Sequence, residues 1–232
     1  MEFKSLASSS HGNAYLVSDR DTRILVECGL SYQKLRKAVG FDLSQLAACL
    51  ISHEHKDHSG CVRDLIGRGM DVYMSEGSAD ALELEGATVI AAEEQFSVGS
   101  FDCIPFEVFH DAPEPLGFLI KSRVDGDVLA FATDTVNLRY RFPGLTILAI
   151  EANFEQAVLE KCERMPEKIR RRIANSHMEI DVLCDYLRSI SFENCREIYL
   201  LHLSDATSNE QKFIKKVQEI VPKSIKIHAC RR

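Results

Sequence analysis

Short apolar runs, each ended by a polar or glycine-containing turn, dominate the first half of the chain. Residues 14–17, 23–26, 47–51, 72–74 and 88–90 have the length and composition of strands. Between them, apolar positions three and four apart predict helices over 32–39, 62–66 and 78–84. The middle returns to strands at 101–109, 116–120, 128–133 and 145–150. The last third has helical spacing over 154–174, 179–189 and 209–221, with a strand at 197–201 and a closing strand at 225–228. No repeat, low-complexity tract or Gly/Ser-rich linker interrupts this pattern. The expectation is one mixed α/β domain over residues 1–232.

Composition narrows the class. No run of about 18 apolar residues exists, which argues against a membrane-spanning helix. The N-terminal MEFKSLASSSHGN lacks the apolar segment of a secretory signal. Eight cysteines, at 28, 49, 61, 103, 162, 184, 195 and 230, include no CxxC pair, and several sit inside apolar runs. Buried free thiols in a reducing cytoplasm are therefore expected. Asp and Glu number 35 against 28 Lys and Arg. A protein that tracks long nucleic acid needs a basic stripe. The one dense basic cluster here, Lys168-Ile169-Arg170-Arg171-Arg172, is expected to be a solvated helix face. A small phosphate-bearing substrate remains compatible with this charge.

One stretch carries chemistry. Residues 50–60 read LISHEHKDHSG, placing His53, His55, Asp57 and His58 directly after an apolar run. Residues two apart in an extended segment project to the same side, so His53 and His55 can share one cation. Where the loop turns toward Ser59-Gly60, Asp57 and His58 are thrown toward a neighbouring point. Imidazole with carboxylate suits zinc, manganese or iron rather than calcium. Two such cations about 3.5–4 Å apart suit attack on a charged substrate. Further donors follow apolar strands: His110 after Phe106-Glu107-Val108-Phe109, Asp134 after Leu129–Thr133, and His202 after Ile198–Leu201.

The motif His53-x-His55-x-Asp57-His58, followed in order by His110, Asp134 and His202, resembles the metallo-β-lactamase-fold hydrolases. The resemblance starts at Ser8-Ser9-Ser10-His11-Gly12-Asn13 and covers nearly the whole chain. It implies a four-layer αββα sandwich and two divalent metal ions, zinc first and manganese as the alternative. In that family pattern His53, His55 and His110 hold the first ion, Asp57, His58 and His202 hold the second, and Asp134 bridges. An aspartate at 134 looks like the phosphodiesterase and nuclease branches. The Gly12-Asn13 turn, Glu151-Ala152-Asn153, and His177 in Arg171–His177 are similar to the YycJ-like and RNase Z-like group. Compactness also looks like the phage anti-Pycsar cyclic-nucleotide phosphodiesterases, enzymes of phage evasion of host defence. Two departures stand out. Glu27 replaces the usual aspartate in Val26-Glu27-Cys28-Gly29, and Met178-Glu179-Ile180 follows His177 where the group often has Leu-Ser.

These residues imply roles. Asp57 would orient an attacking water, and His177 would hydrogen-bond a phosphoryl oxygen or protonate the leaving alkoxide. His11, Asn13 and Asn153 are candidate substrate contacts, whereas His228 is expected at the surface without a partner. The expected reaction is hydrolysis of a cyclic mononucleotide to the linear monophosphate. The alternatives are a metal-dependent nuclease acting on DNA or RNA ends and a non-catalytic metal-binding module. The resemblance also implies a homodimer, and no membrane association is expected.

Overall fold

The computed structural model describes residues 1–40 and 42–231. In chain order the first half comprises β1 (Glu2–Ala7), β2 (Ala14–Ser18), β3 (Arg23–Val26), α1 (Tyr32–Val39), β4 (Ala48–Leu50), α2 (Lys56–Ser59), α3 (Val62–Ile66), β5 (Val72–Met74), α4 (Glu76–Ala81) and β6 (Thr88–Val89). The second half comprises β7 (Phe96–Val98), β8 (Phe101–Glu107), β9 (Leu116–Ser122), β10 (Val128–Ala132), β11 (Ile147–Glu151), α5 (Gln156–Glu160), α6 (Glu167–Ser176), α7 (Ile180–Arg188), β12 (Glu197–Leu201), α8 (Glu210–Gln218) and β13 (Lys226–Ala229).

Two mixed sheets result. The first runs β1-β2-β3-β4-β5-β6 and the second β13-β12-β11-β10-β9-β8-β7. Each is antiparallel at its hairpin end and parallel where helices make the crossovers, as β3–β4 and β11–β12 show. Strand alternation then sorts side chains into three apolar layers. Ile24, Val26, Ala48 and Leu50 face Phe118, Leu129, Phe131, Ile147 and Ala149 between the sheets. Leu25 and Cys49 point the other way, beneath Leu35 of α1 and Val62 and Leu65 of α3. Ala130, Leu148, Ile150 and Leu200 point outward against Leu183 and Leu187 of α7 and Phe213 and Val217 of α8. The architecture is thus the expected αββα sandwich. Central strands β10 and β11 are buried on both faces, which is why they read as unbroken apolar runs.

The structure departs from the sequence expectation in specific places. Strand β1 was not predicted, because its charged Glu2 and Lys4 alternate with buried Phe3 on an edge strand. Strand β7 is a three-residue edge of a hairpin with β8. The helix expected over 154–174 is two helices, α5 ending at Glu160 and α6 starting after its N-cap Pro166, with residues 161–166 between them. Proline supplies no N–H to continue a helix and disfavours the α conformation in the preceding residue. All eight cysteines are free, with Cys162 alone among them not fully buried. No helix among the described residues is long and apolar enough to cross a membrane.

The sheets are also tied by a polar clamp. Asp19, in the β2–β3 turn, accepts from Ser100 Oγ at 2.8 and 2.7 Å and from Ser122 Oγ at 2.7 Å, both on the second sheet's side. Burial raises its pKa, but these hydrogen bonds and those from the Asp21 and Thr22 amides hold it down at about 2. A carboxyl with a lowered folded pKa stabilises the fold above its ordinary 3.8 and loses that contribution as pH falls through about 2. Asp19→Asn is therefore expected to lower stability at pH 7 by about 1.5–3 kcal/mol. Urea unfolding should show the gap from wild type closing between pH 4 and pH 2. A gap independent of pH would assign the loss to packing instead.

Candidate metal centre

The site forms at one rim of the sandwich, where strands end and the chain turns. β4 delivers Ser52-His53, and α2 begins at Lys56, so Asp57 and His58 sit on a helical turn rather than on the extended loop. Three site residues that follow strands have positive φ: Glu27 (66°), Asp134 (46°) and His202 (52°). Non-glycine residues rarely adopt this region, and it concentrates where surrounding structure holds a functional side chain in place. The sharp turn after each strand swings its side chain onto the rim.

Close backbone packing holds these turns together. Asn13 N–H donates to the Asp57 carbonyl at 2.7 Å, Cys28 N–H to the His58 carbonyl at 2.7 Å, and Gly29 N–H to the Asn13 carbonyl at 2.8 Å. A Cβ on Gly29 would lie 1.6 Å from the Asp57 carbonyl oxygen, so no side chain fits there.

Two sets of donor atoms converge. His55 Nδ1 lies 3.1 Å from His53 Nε2 and 3.2 Å from His110 Nε2. Asp57 Oδ2 lies 3.4 Å from both His58 Nε2 and His202 Nε2. Asp134, 3% exposed, divides its oxygens between the sets. Its Oδ2 is 3.4 Å from His110 Nε2, and its Oδ1 is 3.4 Å from His58 Nε2 and 3.8 Å from His202 Nε2. Donor atoms around a tetrahedral zinc at 2.0–2.1 Å are separated by about 3.3 Å. Three imidazole nitrogens this close cannot all be satisfied by protons shared among them, whereas one cation accepts all three lone pairs. The donor set fits a dinuclear site.

A metal takes neutral imidazoles and ionised carboxylates, and His53, His110 and the two aspartates match that, whereas His58 is pushed the other way: burial lowers its pKa, but Asp134 and Glu27 raise it well above the imidazole range. Burial lowers the pKa of His53, aided by neighbouring His58, and burial lowers that of His110. Burial disfavours the Asp134 charge, but His202, His58 and His177 hold its pKa well below the carboxylate range. Burial likewise opposes Asp57 ionisation, and hydrogen bonds with His202 and His58 outweigh it.

Behind these donors stands an outer ring of partners that aims them. His110 Nδ1 donates to the Ser176 carbonyl at 2.7 Å. Glu27, fully buried, accepts from Ser52 N–H at 3.1 Å and puts Oε2 3.3 Å from His58 Nδ1. The longer acid thus reaches the metal loop. Asn13 and Asn153, expected as substrate contacts, are buried and face the ring instead. Asn13 Nδ2 donates to the Asp57 carbonyl at 3.1 Å and sits 3.2 Å from His58 Nε2. Asn153 Nδ2 donates to the His202 carbonyl at 2.8 Å and is equally close to its Nδ1. His11 is exposed, and its neighbour Ser10 lines the cleft in its place.

A cleft of about 240 Å³ opens over the centre, walled by Ser10, Arg172, His177 and the rim donors. His177 caps α6, stacks on His202 at 5.3 Å and is held through Nδ1 by Glu151 Oε1 at 2.7 Å. Burial pulls its pKa down, but Glu151 and Asp134 more than offset this and keep it at about 9. Glu151 was noted in sequence only as part of a motif. Its other oxygen accepts from Thr135 and Met178 amides at 2.8 and 3.1 Å, so one buried acid positions both His177 and the Asp134 turn. The signal for it was an acid closing an otherwise apolar, fully buried strand. The basic cluster is not simply solvated: Arg170 bonds the Cys162 and Met165 carbonyls, Arg171 pairs with Glu167, and Arg172 pairs with Asp111. His228 is part-exposed and has a partner, Glu197 Oε2 at 3.1 Å.

Gly29→Ala is expected to push the Asp57 carbonyl away and scatter the second donor set. Metal content by atomic absorption should fall below one ion per chain. Full metal occupancy in a folded Gly29→Ala protein would disprove the role given to this close approach.

Comparison with known proteins agrees with the geometry. Residues 22–202 match the Beta-lactamase superfamily domain. The chain is 29% identical over 221 residues to exodeoxyribonuclease YycJ of Bacillus anthracis, a match covering 88% of this chain and 83% of that one. It is 28% identical over 222 residues to exodeoxyribonuclease WalJ of Streptococcus pneumoniae, covering 88% and 81%. The crystal structure of YhfI from Bacillus subtilis, a metallo-β-lactamase fold protein, superposes with a TM-score of 0.74 at 13% identity, covering 99% and 96% of the two chains, and shows the shared fold. With its donors converging on an αββα scaffold of the metallo-β-lactamase fold, the chain belongs to the beta-lactamase superfamily.

Proposed function

We propose that the chain is a metal-dependent phosphoric diester hydrolase that removes nucleotides from the end of a nucleic-acid strand. The observation that carries this reading is the buried Asp134 carboxylate divided between two donor triads, beneath a cleft that His177 lines. His53, His55 and His110 would hold one divalent cation, and Asp57, His58 and His202 the other, with Asp134 between them. Zinc suits these donors, and manganese is the alternative. When bound, two such ions offset the charge of a phosphodiester and lower the pKa of water toward neutrality.

The chain's own groups do the remaining work. Asp57 lines the cleft as an ionised carboxylate and accepts a hydrogen bond from the attacking water, fixing its direction. His177 gives Nδ1–H to Glu151, which leaves Nε2 for the leaving oxygen. The Glu151 carboxylate at its Nδ1 stabilises positive charge on this imidazole, which suits it to give a proton to the leaving oxygen. Glu151 is a positioning residue, since it acts through His177. Asn13, Asn153 and Glu27 hold ring and loop orientation.

Cleft size restricts the substrate. At about 240 Å³ it lies below the ~300–1,000 Å³ usual for drug-sized ligands and takes one nucleotide unit. Similarity to exodeoxyribonucleases over most of the chain supports a strand end as the source of that unit. A cyclic mononucleotide, of the kind phage anti-Pycsar enzymes open, is the second reading. It is favoured by the same small cleft and by the net charge of −7. A homodimer remains part of the proposal and is tested by mass in solution.

Metal-loaded protein is expected to release mononucleotides from a single-stranded oligodeoxynucleotide and to be silenced by a chelator. Asp57→Asn and His177→Ala should each lower kcat by about 10²–10⁴. Opening of cyclic mononucleotides without oligonucleotide turnover would transfer the assignment to the second reading. Inactivity toward both classes with two ions bound would reject the phosphodiesterase.

A further inference from the structure

Helix α6 starts after its N-cap Pro166, separated from α5 by residues 161–166, and its course takes one face across the cleft. Ile169, Arg172, Ile173 and Ser176 lie three and four residues apart, hence on that one face. The first three wall the cleft, and the carbonyl of the fourth holds His110. Ile169 is 42% exposed, one of few large apolar side chains left open among the described residues. Arg172 spends only Nε on the protein, donating to Asp111 Oδ2 at 2.6 Å. Asp111 Oδ1 in turn lies 3.3 Å from His110 Nε2, so the arginine is registered against the candidate metal centre. Its two terminal amino groups have no partner among the described residues. A planar guanidinium anchored at one nitrogen and free at two is preorganised for the oxygens of a phosphate.

We propose that Arg172 binds the phosphate next to the scissile one, and that Ile169 and Ile173 carry the apolar face of the adjoining nucleotide. This rests on the phosphodiesterase reading and adds to it a preference for strand ends that bear a neighbouring phosphate. Asp111 is the positioning residue that aims the guanidinium. The seemingly plain basic helix face is thus a substrate-recognition edge, while Arg170 and Arg171 are committed to the helix's own surroundings.

A minimal pair of substrates tests it. The thymidylate dinucleotides TpT and pTpT share one scissile diester and differ only in the neighbouring 5′-phosphate. Metal-loaded wild type is expected to show a KM for pTpT roughly tenfold to a hundredfold below that for TpT, as a charge-assisted phosphate contact implies. Arg172→Ala should raise KM for pTpT to the level for TpT and so erase this preference, and Arg172→Lys should restore part of it. Ile169→Ser should raise KM for both substrates and keep the preference. Equal loss on TpT and pTpT in Arg172→Ala would mark the arginine as structural and overturn the proposal. So would a wild type that cleaves both without preference, an outcome that leaves the phosphodiesterase standing. A wild type that cleaves neither dinucleotide nor oligonucleotide overturns both.

Discussion

A carboxylate with almost no access to water is the constraint around which this molecule is arranged. Asp134 is 3% exposed and ionised, and burying such a charge is costly unless opposite charge or strong hydrogen bonding meets it. Imidazoles of His58, His110, His177 and His202 surround it, each delivered by a different segment. The two sheets must therefore end at the same rim, since both contribute to this ring. The fold and the centre are one solution to a single electrostatic problem.

Geometry at that rim is held by means that cost local stability. Positive φ at Glu27, Asp134 and His202 is unfavourable for residues with a Cβ, and each such turn follows a buried strand able to impose it. Glu27 and Glu151 are buried acids that hold neighbouring amides as well as an imidazole: Ser52 and His58 for one, Thr135, Met178 and His177 for the other. Each thereby fixes a turn and a ring together. The turn over residues 161–166, closed by Pro166 as the N-cap of α6, adds a third device, since it lets α6 lie across the cleft instead of extending α5.

Much of this was legible in the chain. The apolar periods gave the central strands and most helices, because strands buried on both faces and amphipathic helices write their burial directly into composition. The His53–His58 cluster and the strand-end positions of His110, Asp134 and His202 were visible because metal donors are rare residue types in unusual density. Edge strands β1 and β7 were not visible, since half of their residues meet water and carry no apolar signal.

Partnership is what the sequence alone did not contain. Asn13 and Asn153 looked like donors for a substrate, and only the folded chain shows their amides committed to Asp57 and His202. Arg172 looked like one of several solvated cations until the turn at Pro166 brought it over the cleft. Hydrogen bonds between residues 26 to 145 positions apart depend on how sheets and helices meet, and no local pattern records that. Residue chemistry and burial period are local properties, so the sequence determined the layers and the candidate donor residues. Which of those side chains meet at one rim and which are committed to a neighbour was decided by tertiary packing.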